Sequence, residues 1–164
     1  MNQKEFKEKV IPISNKLYRF ALRMLENSDD AKDILQEVFM KLWELRDSLH
    51  KLKNLDAFVM TITKNNCLDK LKTRKIKVNE KVLDNLGDFY NQRTPQKQLE
   101  EAESINRIQK IINTLPHLQK MIIQLKDIEG YSFEEIRDIT GLQKNAIRVN
   151  LFRARTRLKQ NYNK

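Results

Sequence analysis

Apolar residues recur at intervals of three and four along most of this chain, the spacing of one face of an α-helix. Phe6, Val10, Ile13, Leu17, Phe20 and Met24 line the first segment, residues 3–26. Pro12 is expected to bend or split it, because proline lacks the amide proton that a helix interior needs. The run Glu26-Asn27-Ser28-Asp29-Asp30 breaks the pattern, and its two aspartates suit the start of another helix. That second helix, about 29–48, carries a wide stripe of Ala31, Ile34, Leu35, Val38, Phe39, Leu42 and Trp43, so Trp43 is expected in the core. Asp33, Gln36, Glu37, Lys41 and Glu44 take the polar positions. After a loop over Leu49 to Asn54, a third helix, about 55–74, buries Leu55, Phe58, Val59, Ile62, Leu68 and Leu71. It turns Thr61, Lys64, Asn65, Asp69 and Lys72 outward.

The periodicity lapses over residues 76–96. Asn79, Asp84, Asn85, Gly87, Asp88, Thr94 and Pro95 mark this stretch as a flexible linker, with Val82, Leu83, Leu86, Phe89 and Tyr90 available to dock part of it. The helical pattern resumes near Gln96 and runs through Ala102, Ile105, Ile108, Ile111, Ile112 and Leu115. Pro116 suits the first turn of the next helix, which is expected to bury Leu118, Met121, Ile122, Leu125 and Ile128 and to end at Gly130. Ser132 and Glu135 then form an S-x-x-E capping box, which predicts a helix carrying Phe133, Ile136 and Ile139 on one face. Gly141 ends that helix. The last helix, about 144–160, points Ile147, Leu151, Ala154 and Leu158 inward. Two helices across a short glycine-containing turn make a helix-turn-helix. The chain thus reads as all-α: two small helical domains, residues 1–75 and 97–164, with the helix-turn-helix in a C-terminal four-helix unit.

Composition agrees, since only three glycines and three prolines leave few turns for sheets. Charge adds a function. The net charge is +10, and it gathers on one element in each half. From Lys64 to Lys81 seven cations face only Asp69 and Glu80, and residues 141–164 hold seven Lys or Arg with no acid. Basic helices of this kind fit nucleic acid. On the last helix Asn145, Arg148, Val149, Phe152 and Thr156 point away from the buried stripe. A merely solvated face has no use for Val149 and Phe152, whereas thymine methyls offer them apolar contact. Gln143, Lys144, Asn145 and Arg148 are placed for base edges or phosphates, and Arg153, Arg155 and Arg157 for phosphates. On the third helix Lys64, Lys72, Arg74 and Lys75 are expected on phosphates and Asn65 on a base.

Other chemistry is thinly represented. Cys67 stands alone, which excludes an internal disulfide and reads as a small buried side chain in a reducing compartment. His50 and His117 lack partners at metal-ligand spacing, and no phosphate-binding glycine loop occurs, so neither metal, cofactor nor catalysis is expected. No apolar run approaches the ~18 residues that a membrane span needs. Lys4, Glu5, Lys7, Glu8 and Lys9 preclude a signal-peptide core near the start, so a cytoplasmic protein without membrane insertion is expected.

Three blocks together resemble bacterial sigma factors. Asp29-Asp30-Ala31-Lys32-Asp33-Ile34-Leu35-Gln36-Glu37-Val38-Phe39-Met40-Lys41-Leu42-Trp43 is similar to the family's D-A-E-D-x-x-Q-E-x-F-x-x-x-W block. Phe58 through Asp69, with Lys64-Asn65, is similar to its R-N-x-x-x-D helix. Leu115-Pro116, Glu134-Glu135-Ile136 and Arg153-Ala154-Arg155 resemble its L-P, E-E-I-A and R-A-R marks. Order, spacing and linker match the extracytoplasmic-function (ECF) group of the sigma-70 family, which keeps only the second and fourth conserved regions. The resemblance implies that Asp33, Gln36, Glu37 and Lys41 dock on the β′ clamp of core RNA polymerase. It implies that Lys64, Asn65, Asp69, Lys72, Arg74 and Lys75, with the loop before them, read the minus-ten promoter element. Gln143, Lys144, Asn145, Arg148, Val149, Phe152, Arg153 and Arg155 would read the minus-thirty-five element, the C-terminal domain packing on the β flap. An anti-sigma partner is implied too. Arg137 stands where the family often has Ala, Ala146 where it often has Thr, and Asn150 where it often has Arg; the last two bear on phosphate clamping. The competing reading is an autonomous helix-turn-helix regulator, which usually dimerises on a palindrome; no segment here reads as a dimerisation helix or ligand domain.

Overall fold

The computed structural model describes residues 1–81 and 103–163, with side chains over 1–75 and 106–163. The described residues are helical without strands. Helix α1 (Gln3–Val10) and helix α2 (Ser14–Leu25) are separated by a 3-10 turn at Ile11–Ile13, where Pro12 occupies the first turn. Pro12 therefore splits the first segment. Helix α3 (Ser28–Glu44) starts on Asn27, whose side-chain oxygen accepts the Asp30 amide at 2.9 Å. Helix α4 (Leu55–Lys81) starts in the same way on Asn54, which accepts the Ala57 amide at 3.0 Å. Helix α4 carries on to Lys81, into the stretch expected as linker, residues 76–96. Most of that linker, and the expected helical turns from Gln96 to Ala102, lie outside the described residues.

The C-terminal unit comprises α5 (Glu103–Thr114), α6 (His117–Ile123), a π-helical turn at Gln124–Ile128, α7 (Phe133–Thr140) and α8 (Lys144–Tyr162). Both capping-box bonds of Ser132 and Glu135 are present, at 3.1 and 2.9 Å. Gly141, at φ +76°, ends α7 in the left-handed conformation that side chains disfavour. Helix α8 packs across α6, with α5 and α7 also against it.

Buried apolar residues form one cluster that runs from Val10 through both halves to Ala154. The two domains are docked: α2 packs on α6, and α4 packs on α7. Two core expectations fail. Trp43 is 39% exposed, because Val38 and Leu42 fill the inner side of α3 and the indole is left at the stripe's outer edge. There Phe6 meets it edge-on at 5.2 Å and the Arg46 guanidinium lies over its ring at 4.3 Å. Ile128 is also exposed. The π turn holds one more residue than an α turn, which shifts the phase of everything after it and turns Glu129 and Tyr131 inward in its place.

Candidate nucleic-acid and protein interfaces

The outer face of α3 is one continuous stripe. Asp33, Gln36, Glu37, Met40, Lys41 and Glu44 are all exposed there, over an inner side of Ala31, Ile34, Val38 and Leu42. Met40, 67% exposed, sits at the centre of the acidic positions. The hydrophobic pattern does not single it out, although its helical phase puts it beside Asp33 and Glu37 rather than among the core residues. Beside this stripe, Gln3, Phe6, Lys7, Val10, Ile11, Phe39 and Trp43 line an open apolar groove of about 390 Å³.

On α4, Asn65, Asp69 and Lys72 lie four and three residues apart, share one face and are exposed. Lys75 is exposed beside them, while Lys64 is half-buried and burial pushes its ammonium below the ordinary lysine range. Arg74 is not on that face. Half a helical turn from Asn65, it donates to the Leu25 carbonyl at 2.6 Å and pairs with Asp30, which Lys70 approaches at 3.8 Å. Arg74 thus pins α4 to the start of α3. Cys67 is buried, and desolvation pushes its thiol up to about 12, so it is inert.

On α8, the core stripe of Ile147, Leu151 and Ala154 leaves Asn145, Val149, Phe152 and Arg153 exposed on the opposite side, Phe152 by 71%. Gln143 is exposed just before the helix. One edge of this face is tied down. Lys144 bonds Glu134 at 2.6 Å, Arg148 lies 5.5 Å from the Phe133 ring centre, and Arg155 forks onto Asp127 at 2.6 and 2.9 Å. These contacts fix the roll of α8 on α7 and the π turn. The Asp127 bond raises the Arg155 pKa, and the Lys144 bond lowers that of Glu134. Asn150 donates back to the Ala146 carbonyl at 2.8 Å, which turns it onto its own helix.

Among the described residues no group of His, Cys, Asp or Glu is arranged to hold a metal, and no helix is long and apolar enough to cross a membrane. The exposed faces are an acidic stripe with a methionine on α3, a polar and basic face on α4, and an apolar and cationic face on α8.

Known proteins share this fold. Residues 13–76 match the family described as Sigma-70 region 2, and residues 105–158 match Sigma-70, region 4. The RNA polymerase sigma factor SigV of Bacillus subtilis is 29% identical over 138 residues, 84% of this chain and 78% of SigV. The ECF RNA polymerase sigma factor SigW of the same organism is 26% identical over 167 residues, 97% of this chain and 89% of SigW. Among solved structures, the sigma factor RpoE of Bartonella quintana, crystallised with the anti-sigma factor NepR, superposes with a TM-score of 0.79 at 25% identity, over 96% of each chain. CnrH, solved with the cytosolic domain of CnrY, shares the fold with a TM-score of 0.70 at 21% identity, over 97% of this chain and 88% of CnrH. With region 2 and region 4 matched in order on two helical units, this chain belongs to the ECF group of the sigma-70 family, the factors that direct RNA polymerase to begin transcription.

Proposed function

We propose that the α3 stripe of Asp33, Gln36, Glu37 and Lys41, with Met40 at its centre, binds the β′ clamp of core RNA polymerase. The observation that carries this is the exposed methionine among acids, an apolar anchor ringed by charge on a rigid helix, as a specific protein contact requires. Asn65, Asp69, Lys72 and Lys75 read and hold the opened minus-ten strand, with Lys64 at the margin. Arg74 supports this face from behind. Gln143, Asn145, Arg148, Val149 and Phe152 enter the major groove of the minus-thirty-five element, Arg153 grips phosphate, and Lys144 and Arg155 set the pose of α8. The C-terminal unit packs on the β flap. The protein acts as a regulatory subunit in the cytoplasm, without catalysis of its own, and is restrained by an anti-sigma factor, as RpoE and CnrH are found with NepR and CnrY.

The test is to add the purified protein to core polymerase on genomic DNA and sequence the transcripts. A common pair of sequence elements upstream of the start sites supports the reading. Specific DNA binding that needs no core polymerase would favour the autonomous regulator instead.

A further inference from the structure

The chain has five methionines and one cysteine, and folding treats them unequally. Met24, Met60 and Met121 are core residues, and Met1 is half-buried against the core. Cys67 is buried with its thiol pushed up to about 12, so the reactive thiolate is scarce at neutral pH. Met40 is the exception, 67% exposed on the outer face of α3. Its neighbours matter as well. Gln36 and Glu37 lie four and three residues before it and Glu44 four after it, spacings that bring side chains together on a helix surface. All three are exposed. Lys41, the next residue, is turned about 100° round the helix.

We infer that Met40 is a modification site, oxidised to the sulfoxide by hypochlorous acid, and that the oxidised protein binds core polymerase weakly. The second half rests on the α3 docking reading above. The thioether sulfur attacks the chlorine of hypochlorous acid and releases hydroxide, leaving a chlorosulfonium cation. Water then adds to sulfur, chloride leaves and two protons pass to solvent, one of them neutralising the hydroxide. Sulfur loses two electrons and chlorine gains them; one oxygen atom is added. The cationic intermediate forms one helical turn from each of Glu37 and Glu44, and carboxylates at that range stabilise positive charge. In the core the same cation would be desolvated without a partner. Exposure and charge therefore both direct the reaction to Met40. The product carries a polar, chiral sulfoxide in place of a flexible apolar side chain, and methionine sulfoxide reductase reverses it. At the centre of an interface the change removes the apolar anchor.

The experiment treats the full chain with an equimolar amount of hypochlorous acid and maps the added oxygen by peptide mass spectrometry. Oxygen is expected on Met40 ahead of every other residue. Oxygen spread evenly over the methionines, or concentrated on another residue, would overturn the site. Glu37→Gln with Glu44→Gln should slow Met40 oxidation several-fold at unchanged helix content; an unchanged rate would overturn the role of the carboxylates. Affinity for core polymerase is then measured by titration. Treated wild type should bind on the order of tenfold more weakly, the loss expected for one central contact, and the reductase should restore it. Met40→Leu, compared only with its own untreated form, should lose nothing on treatment; an equal loss there would place the damage elsewhere and overturn the switch. Holoenzyme formed before treatment should shield Met40, and equal oxidation in holoenzyme would remove Met40 from the interface. Oxidised Met40 with undiminished affinity would also overturn the switch, and Asp33→Ala with Glu37→Ala then separates the causes. If that variant still binds core polymerase, the α3 reading has failed; if it does not, that reading stands without the switch.

Discussion

Arg148 and Arg155 sit on the same helix, and their surroundings separate their roles. Arg148 stands over Phe133 with its guanidinium at the rim of the exposed face. A bidentate contact to guanine from there is worth ~1–3 kcal/mol in discrimination. Arg148→Ala should relax preference at one or two positions of the upstream element, whereas Arg153→Ala should weaken all promoters about equally. Selection from a randomised upstream element with each mutant holoenzyme distinguishes these outcomes. Arg155 is already engaged by Asp127. Asp127→Ala should therefore reproduce whatever Arg155→Ala does to promoter binding. A defect confined to Arg155→Ala would return that side chain to the phosphates. Glu135 carries a pH dependence. Its carboxylate accepts the Ser132 amide and the Asn54 side chain, and these bonds, the backbone one first, hold its pKa below the ordinary glutamate range. A depressed carboxylate stabilises the fold above its unfolded value, about 4.3, and the contribution is lost as pH falls through the folded value. Thermal unfolding followed from pH 6 to 3 should fall less steeply in Glu135→Gln than in wild type.

At the scale of elements, α3 and α7 carry the clearest expectations. Asp33 and Glu37 are exposed and away from the core, so Asp33→Ala with Glu37→Ala should fold normally, each change costing under ~0.5 kcal/mol. The double variant should lose core polymerase in a pull-down; retention at wild-type strength would remove the stripe from the interface. Gly141 has open space where a methyl group would sit, but it stands at φ +76°. Gly141→Ala should thus cost ~1–2 kcal/mol through conformation alone, read as a lower urea midpoint with unchanged slope. Much of this element plan is legible in the sequence. Ser132 with Glu135 marks the start of α7, Gly141 marks its end, and Pro12 marks the split between α1 and α2, because caps and breakers act within one turn of chain. Trp43 and Ile128 depart from the pattern for a common reason: helical spacing gives the side on which a residue lies, not what covers it. Trp43 lies near the end of α3, where Phe6 meets it edge-on and Arg46 lies over its ring, and Ile128 lies in a π turn that no local signal announces.

For the whole molecule, the charge of +10 implies binding that weakens with salt. Removing one phosphate-binding cation should flatten the slope of log affinity against log salt by about 0.7 for a single strand. Lys72→Ala and Lys75→Ala should each show that change with a single-stranded minus-ten probe and holoenzyme, and their deficit should shrink at low salt. Arg74→Ala should behave differently. Removing it leaves Asp30 and the Leu25 carbonyl without their guanidinium, so stability falls and the salt slope stays.

The sequence by itself determined the helices and most of the faces they expose, since these follow from spacing and capping within a few turns, and its motif blocks carried the resemblance to the family. It also placed charge on α4 and α8, because charge is a property of composition. The tertiary structure decided which charges are paired within the chain. In the sequence Arg74, Lys144 and Arg155 are candidates equal to Lys72 and Arg153, and only folding brings Asp30, Glu134 and Asp127 to them from elsewhere in the chain. It decided, too, that the halves dock. Lys16, Arg19, Arg23 and Glu26 look like an ordinary solvated face in the sequence, and their partners Tyr131, Glu129, Gln124 and Lys120 lie about a hundred residues away. An ion pair or hydrogen bond across that separation depends on how two cores are oriented, which no local pattern encodes.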